Sequence, residues 1–157
     1  MKNLISAALV AAAVAAAPLC AAQDNSGLAD LAAMAQAARK DKRALVAEKL
    51  QLTPAEARKF WPVYDNLQRD LTKLNRDRNV SLEILVNRDR PPSDAYAKQV
   101  VNDLMSIEEQ EVKAMRKASN ASMRALPPRK AARYMQIENK LRAVQDYEIA
   151  VAFPLAQ

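Results

Sequence analysis

The chain has 157 residues, one cysteine, one glycine and no histidine, with a formal net charge of +6. That length suits one domain of roughly 100–200 residues. The lack of histidine excludes Ser-His-Asp and Cys-His catalysis and imidazole metal ligation, and a single glycine leaves no phosphate-cradling loop and few hairpin turns.

Apolar residues make up 50% of the chain but aromatics only 4%, so alanine, the best helix former, carries much of the apolar count. The composition predicts an all-α protein with a thin core, not a conventional enzyme, and names no function by itself.

Residues 1–22 read as a secretory signal peptide. Lys2 supplies the positive start, Leu4 to Ala17 is apolar apart from Ser6, Pro18 breaks the run, and Cys20-Ala21-Ala22 offers small residues for cleavage. The run is shorter than the ~20 residues a spanning helix needs and lacks a basic stop-transfer flank, so no membrane insertion is expected after cleavage near Ala22. A lipidated Cys20 is the competing reading, although Leu19 is larger than such a site prefers. Cleavage after Ala22 predicts a periplasmic protein, residues 23–157, in a single helical domain without cysteine.

Leu28 to Leu50 is alanine-rich and helical in propensity. Thr53-Pro54-Ala55-Glu56 is a start signal, with a capping threonine, proline at the first helical position and a capping-box glutamate. The helix it opens should run to about Asn87, with Phe60, Tyr64, Leu67, Leu71, Leu74, Leu82 and Leu85 in one stripe. Pro62 removes the backbone bond to the carbonyl of Arg58 and predicts a bend. Arg90-Pro91-Pro92-Ser93 is the turn, and Ser93 caps a third helix to about Leu126, with Ala97, Val100, Leu104, Ile107, Met115 and Ala118 as its stripe. Pro127-Pro128 interrupts again, and a last helix carries Tyr134, Ile137, Leu141 and Val144 and stops before Pro154. Two long stripes joined by a short turn predict an elongated antiparallel helical hairpin with additional N- and C-terminal helices.

The chain also repeats itself. Leu52 to Phe60 aligns with Leu126 to Tyr134 at an offset of 74, and Val63 and Leu67 then align with Ile137 and Leu141. Shared capping needs explain the prolines but not the matching aromatic and aliphatic positions downstream.

Leu52, Thr53, Pro54 and Glu56 resemble the first of the paired motifs of the Spy/CpxP type of periplasmic LTxxQ-motif protein, with Glu56 where that family has glutamine. Leu126, Pro127 and Pro128 occupy the place of the second motif and keep its leucine and the proline common after it. The resemblance covers about residues 45–145. It implies a dimeric, cradle-shaped helical protein that binds unfolded clients without ATP; other members modulate envelope-stress signalling or bind metals. The missing glutamines and the lack of histidine set this chain apart from the chaperone core and from the metal-sensing branches.

Phe60, Trp61 and Tyr64 are candidates for an apolar client site, or else anchors of the N-terminal helix; Trp61 lies about 100° off the stripe that holds the other two. Arg78 interrupts the second helix's stripe and Glu111 that of the third, by pairing across the hairpin or by facing a solvated groove. Met105, Met115 and Met123 suit either an adaptable surface or an irregular core. Arg116 and Arg124 belong to a basic excess suited to steering acidic clients; interleaved acids argue against nucleic-acid binding. Glu108, Glu109 and Glu111 do not converge on one ion, and ion pairs with Arg69, Lys73 or Arg76 are expected of them. No cofactor or metal is expected. Together these features predict an exported, ATP-independent chaperone that forms a homodimer and holds partly unfolded envelope proteins. The alternative is a regulatory accessory protein that binds the periplasmic domain of an envelope-stress sensor kinase.

Overall fold

In the computed structural model, which describes residues 26–87 and 89–156, the chain forms four α-helices and, among those residues, no strand. They are α1 (Ser26–Leu50), α2 (Pro54–Leu85), α3 (Asp94–Ala125) and α4 (Pro128–Ala152). The proposed signal segment, with Cys20 and Ala22, lies outside the described residues.

Each boundary has a local cause. The Thr53 hydroxyl accepts from the Glu56 N–H at 3.3 Å, and the Glu56 carboxylate accepts from the Thr53 N–H at 2.8 Å, completing the capping box of α2. Ser93 caps α3 by accepting from the Tyr96 N–H at 3.4 Å. Pro128 opens α4 without a side-chain cap, its missing N–H costing nothing at the first position, and the Pro127 carbonyl accepts from the Lys130 and Ala131 N–H groups at 2.9 and 3.1 Å.

One expectation is corrected, that of an unbroken first helix. Helix α2 runs through Pro62 as a single helix. Pro62 and Arg58 are both exposed, so water can take the carbonyl that the proline frees. Helix α1 is interrupted, at Asp41, which leaves the helical region (φ −158°, ψ 94°) and whose carboxylate accepts from the Ala44 N–H at 2.9 Å. Asp41 is thus a second helix start, and α1 is two helices end to end.

Helices α2 and α3, each 32 residues and so about 48 Å long, form the antiparallel hairpin and share the most extensive contact. Helix α1 lies antiparallel to α4, and α4 also touches α3. The core sits at the proline end, where Val46, Leu50, Phe60, Leu67, Ala118, Leu126, Ala131, Tyr134 and Ile137 pack from all four helices and the α3–α4 corner. The far end of the hairpin is thin: no described residue between Asn75 and Gln99 is buried. No described helix is long and apolar enough to cross a membrane.

A polar ring fastens α1. Lys42 donates to Gln68 at 2.8 Å and to Glu138 at 2.7 Å, and the Gln68 amide donates to the other Glu138 oxygen at 3.0 Å. One residue each from α1, α2 and α4 closes the ring, and Glu138, 2% exposed, has both oxygens satisfied.

Candidate functional site

An open groove of about 500 Å³ runs between α2, α3 and the C-terminal half of α4. Leu82, Leu104 and Ile149 supply apolar lining, and Arg78, Glu108, Glu111, Arg142 and Asp146 supply charge. On α4 the last residue that packs against the core is Leu141, and beyond it Arg142, Asp146 and Ile149 line the groove.

The charges form a closed alternating ring. Arg78 bonds to Glu111 across the hairpin and also donates to Asn75 at 3.3 Å. Arg142 lies 3.6 Å from the other Glu111 oxygen. Asp146 then lies 3.9 Å from both Arg142 and Arg78. Arg78 and Glu111 are nearly covered, whereas Arg142 and Asp146 are half exposed at the rim. A buried guanidinium or carboxylate must be paired, and here each has a partner. The ring carries no net charge and is tightest at the covered Arg78–Glu111 pair. The groove therefore offers an apolar surface edged by fixed charges of both signs.

The expected site residues fall in three places. Phe60 and Tyr64 are in the core, with Phe60 fully buried, and neither is open to a client. With Trp61 and Tyr134 they form one aromatic cluster. Burial pushes the Tyr64 phenol up to about 12, with the Glu138 charge adding to the effect, and burial raises Tyr134 further still. Trp61 is half buried beneath Arg43 of α1, whose guanidinium sits 4.2 Å from the ring centroid and also pairs with Asp65. A stacked cation of this kind is worth about 0.5–2 kcal/mol, so Trp61 anchors α1. Met115 packs against the core. Arg78 lies in the groove. Met105, Arg116, Met123 and Arg124 are exposed on α3, outside the groove lining.

Glu108 and Glu111 both line the groove, and the ion pairs of Glu109 and Glu111 differ from those expected. Glu109 sits 3.8 Å from Lys113 on its own helix, and Glu111 faces Arg78 and Arg142. Lys73 is occupied by Asp77 at 3.0 Å and Arg69 by Asn66 at 3.1 Å, which explains why neither reaches across. Among the described residues no group of three or more His, Cys, Asp or Glu side chains is placed to hold a metal. Arg142, Asp146 and Ile149 carried no signal as site residues, since their place depends on how α4 leaves the Leu126–Pro128 corner.

The motif residues are structural in their contacts. Leu126 is buried and Leu52 packs against the same cluster. Lys130 reaches from the second motif to the first, donating to the Glu56 carboxylate at 2.7 Å and to the Gln51 carbonyl at 2.9 Å. No protein-family model, curated protein or solved structure matches the chain.

Proposed function

We propose that the chain is an exported, ATP-independent chaperone-like protein that holds partly unfolded clients in the groove and on adjoining surfaces of α3. The observation that supports this reading is the groove itself: Leu82, Leu104 and Ile149 open to solvent beside a fixed ring of paired charges. Such a surface has no shape-specific pocket and suits extended segments in which apolar and charged residues alternate. The net positive charge of the chain adds long-range attraction for acidic clients, screened beyond about 8 Å at physiological salt. Apolar contact holds the client afterwards and is less sensitive to salt.

Light scattering from several unrelated aggregating proteins tests the proposal. The protein should suppress aggregation of most of them without nucleotide, and Leu104→Asp or Ile149→Asp should remove the suppression while helicity is retained. Added salt should slow client association more than it speeds dissociation. Tight binding of one sensor-kinase domain, with no effect on the unrelated proteins, would overturn the reading in favour of a regulatory accessory protein.

A further inference from the structure

The groove and the molecule differ in sign. Arg78, Glu111, Arg142 and Asp146 cancel one another, so the charge of the groove is set by the remaining ionisable group that lines it, Glu108. Glu108 is exposed and has no ion-pair partner among the described residues. The lining therefore sets three carboxylates against two guanidinium groups, although the chain as a whole has a formal net charge of +6. Part of the positive excess lies in a second furrow, built by α2 and α3 without α4, where Lys73, Lys113 and Lys117 outnumber Asp70.

Access sharpens this difference. The cations of the groove are occupied: Arg78 is 11% exposed and held by Glu111 and Asn75, and Arg142 lies between Glu111 and Asp146. The acids are available. Asp146 is 48% exposed and stands 3.9 Å from each guanidinium, too far for a hydrogen bond, so its oxygens can accept from a further donor. Glu108 stands one helical turn from Leu104 and one from Val112, and both of these also line the groove. A cation resting on Glu108 thus has apolar surface on either side of it, which suits the aliphatic stem of a lysine or arginine.

We propose that the groove selects client segments in which a lysine or arginine lies among apolar residues. Glu108 and Asp146 receive the cation, and Leu82, Leu104 and Ile149 receive the apolar side chains. This selectivity rests on the reading of the groove as a client site. It gives the two stages of capture opposite signs. The long-range field of the chain draws acidic clients in, and the groove then takes the basic segments within them. An acidic segment would set its carboxylate against Glu108 and Asp146, and like charges brought together oppose binding.

Peptides of leucine and serine, identical except for lysine, glutamine or glutamate at the charged positions, test the proposal. An environment-sensitive fluorophore on Ala150→Cys, in the full chain with Cys20→Ser, reports occupancy of the groove that Ala150 lines. At low salt the lysine peptide should half-saturate at about tenfold lower concentration than the glutamate peptide, with the glutamine peptide between them. Glu108→Lys should reverse that order. Glu108→Gln should weaken the lysine peptide about threefold, and it carries the test alone if circular dichroism shows that Glu108→Lys loses helicity. Glu109→Gln, outside the groove lining, should leave the order and the affinities as they are. A glutamate peptide that binds as tightly as the lysine peptide overturns the selectivity while leaving the groove a client site. So does an order and ratio that the Glu108 variants leave unchanged, or an equal effect of Glu108→Gln and Glu109→Gln. Failure of all three peptides to move the signal overturns the selectivity and the client groove together.

Discussion

Phe60 meets Tyr134 edge to face, with ring centroids 4.8 Å apart and planes at 86°. The two residues hold equivalent places in the internal repeat, and so do Glu56 and Lys130, which meet at 2.7 Å across 74 residues of chain. Helices α2 and α4 therefore run parallel and in register over their first turns, and the repeat is visible as contact between its own matching positions. Phe60→Ala and Tyr134→Ala should each cost about 3–5 kcal/mol, through lost burial and the cavity left behind. The double variant should lose less than the sum, because each single change already removes the shared contact. Urea unfolding followed by circular dichroism measures all three.

The Tyr134 hydroxyl is buried close to Glu138 but makes no hydrogen bond of good geometry. Its ionisation is raised by burial first and by the Glu138 charge second. A phenol with a raised folded value contributes stability below its ordinary value of 10 and loses it as pH climbs. Tyr134→Phe should change stability at pH 7 by no more than about 1 kcal/mol, since the hydroxyl it removes is unpaired. The variant should also resist alkaline unfolding above pH 10 better than the parent, as thermal melts at pH 9 to 11.5 would read out.

Glu56 behaves in the opposite sense. The hydrogen bond from Lys130, with that from the Thr53 N–H, holds its carboxyl below the ordinary value of 4.5. Its contribution is present above that value and is lost as pH falls through the lowered one. Glu56→Gln should flatten the loss of stability on acidification below about pH 4.5, and Lys130→Met should do the same in part. Melting temperature followed from pH 6 to pH 3 tests both.

Arg78 and Glu111 should respond asymmetrically. Glu111→Leu alone leaves a nearly buried guanidinium with only Asn75 and the half-exposed Asp146 at 3.9 Å and should cost up to about 3–5 kcal/mol, whereas Arg78→Met with Glu111→Leu should be close to neutral. Equal losses in the two variants would show that packing, not charge pairing, dominates at this point of the groove.

Gln51 ends α1 in the left-handed region, at φ 45°, with its N–H donating to the Ala47 carbonyl at 3.0 Å. Glycine favours that conformation at a helix end. Gln51→Gly should stabilise the protein by about 0.5–1 kcal/mol, a rise of about 2–3 °C in Tm, and the Lys130 contact survives because it uses the backbone carbonyl.

Much of this architecture was legible in the chain because prolines and caps mark its corners. Thr53-Pro54 and Pro127-Pro128 locate helix starts to within a residue or two, and the stripe through Phe60, Tyr64 and Leu67 names buried positions correctly. The break at Asp41 was not legible, because a capping aspartate inside Arg39-Lys40-Asp41-Lys42-Arg43 looks like one more member of a solvated charge run. Trp61 was ambiguous for a physical reason: it lies off the hairpin stripe because it faces α1 rather than α3. The groove was legible only by halves. Arg78 and Glu111 betray themselves as charges within apolar stripes, but Arg142 and Asp146 sit on a helix whose faces look alike until the corner at Leu126 aims it.

The restart of α1 at Asp41 also sets how force travels through the molecule. A continuous helix is a stiff rod, and pulling one end turns the other. Here the rod is cut, and the segment beyond the cut is clamped by the Lys42 ring and by Arg43 on Trp61. The segment before it, Ser26–Lys40, has Ala35 as its one buried residue and Arg39 paired with Glu148 at the surface. Tension applied at the N-terminal side is therefore taken up at residue 41, and the leading segment can peel from α4 as a separate unit while the aromatic cluster stays closed.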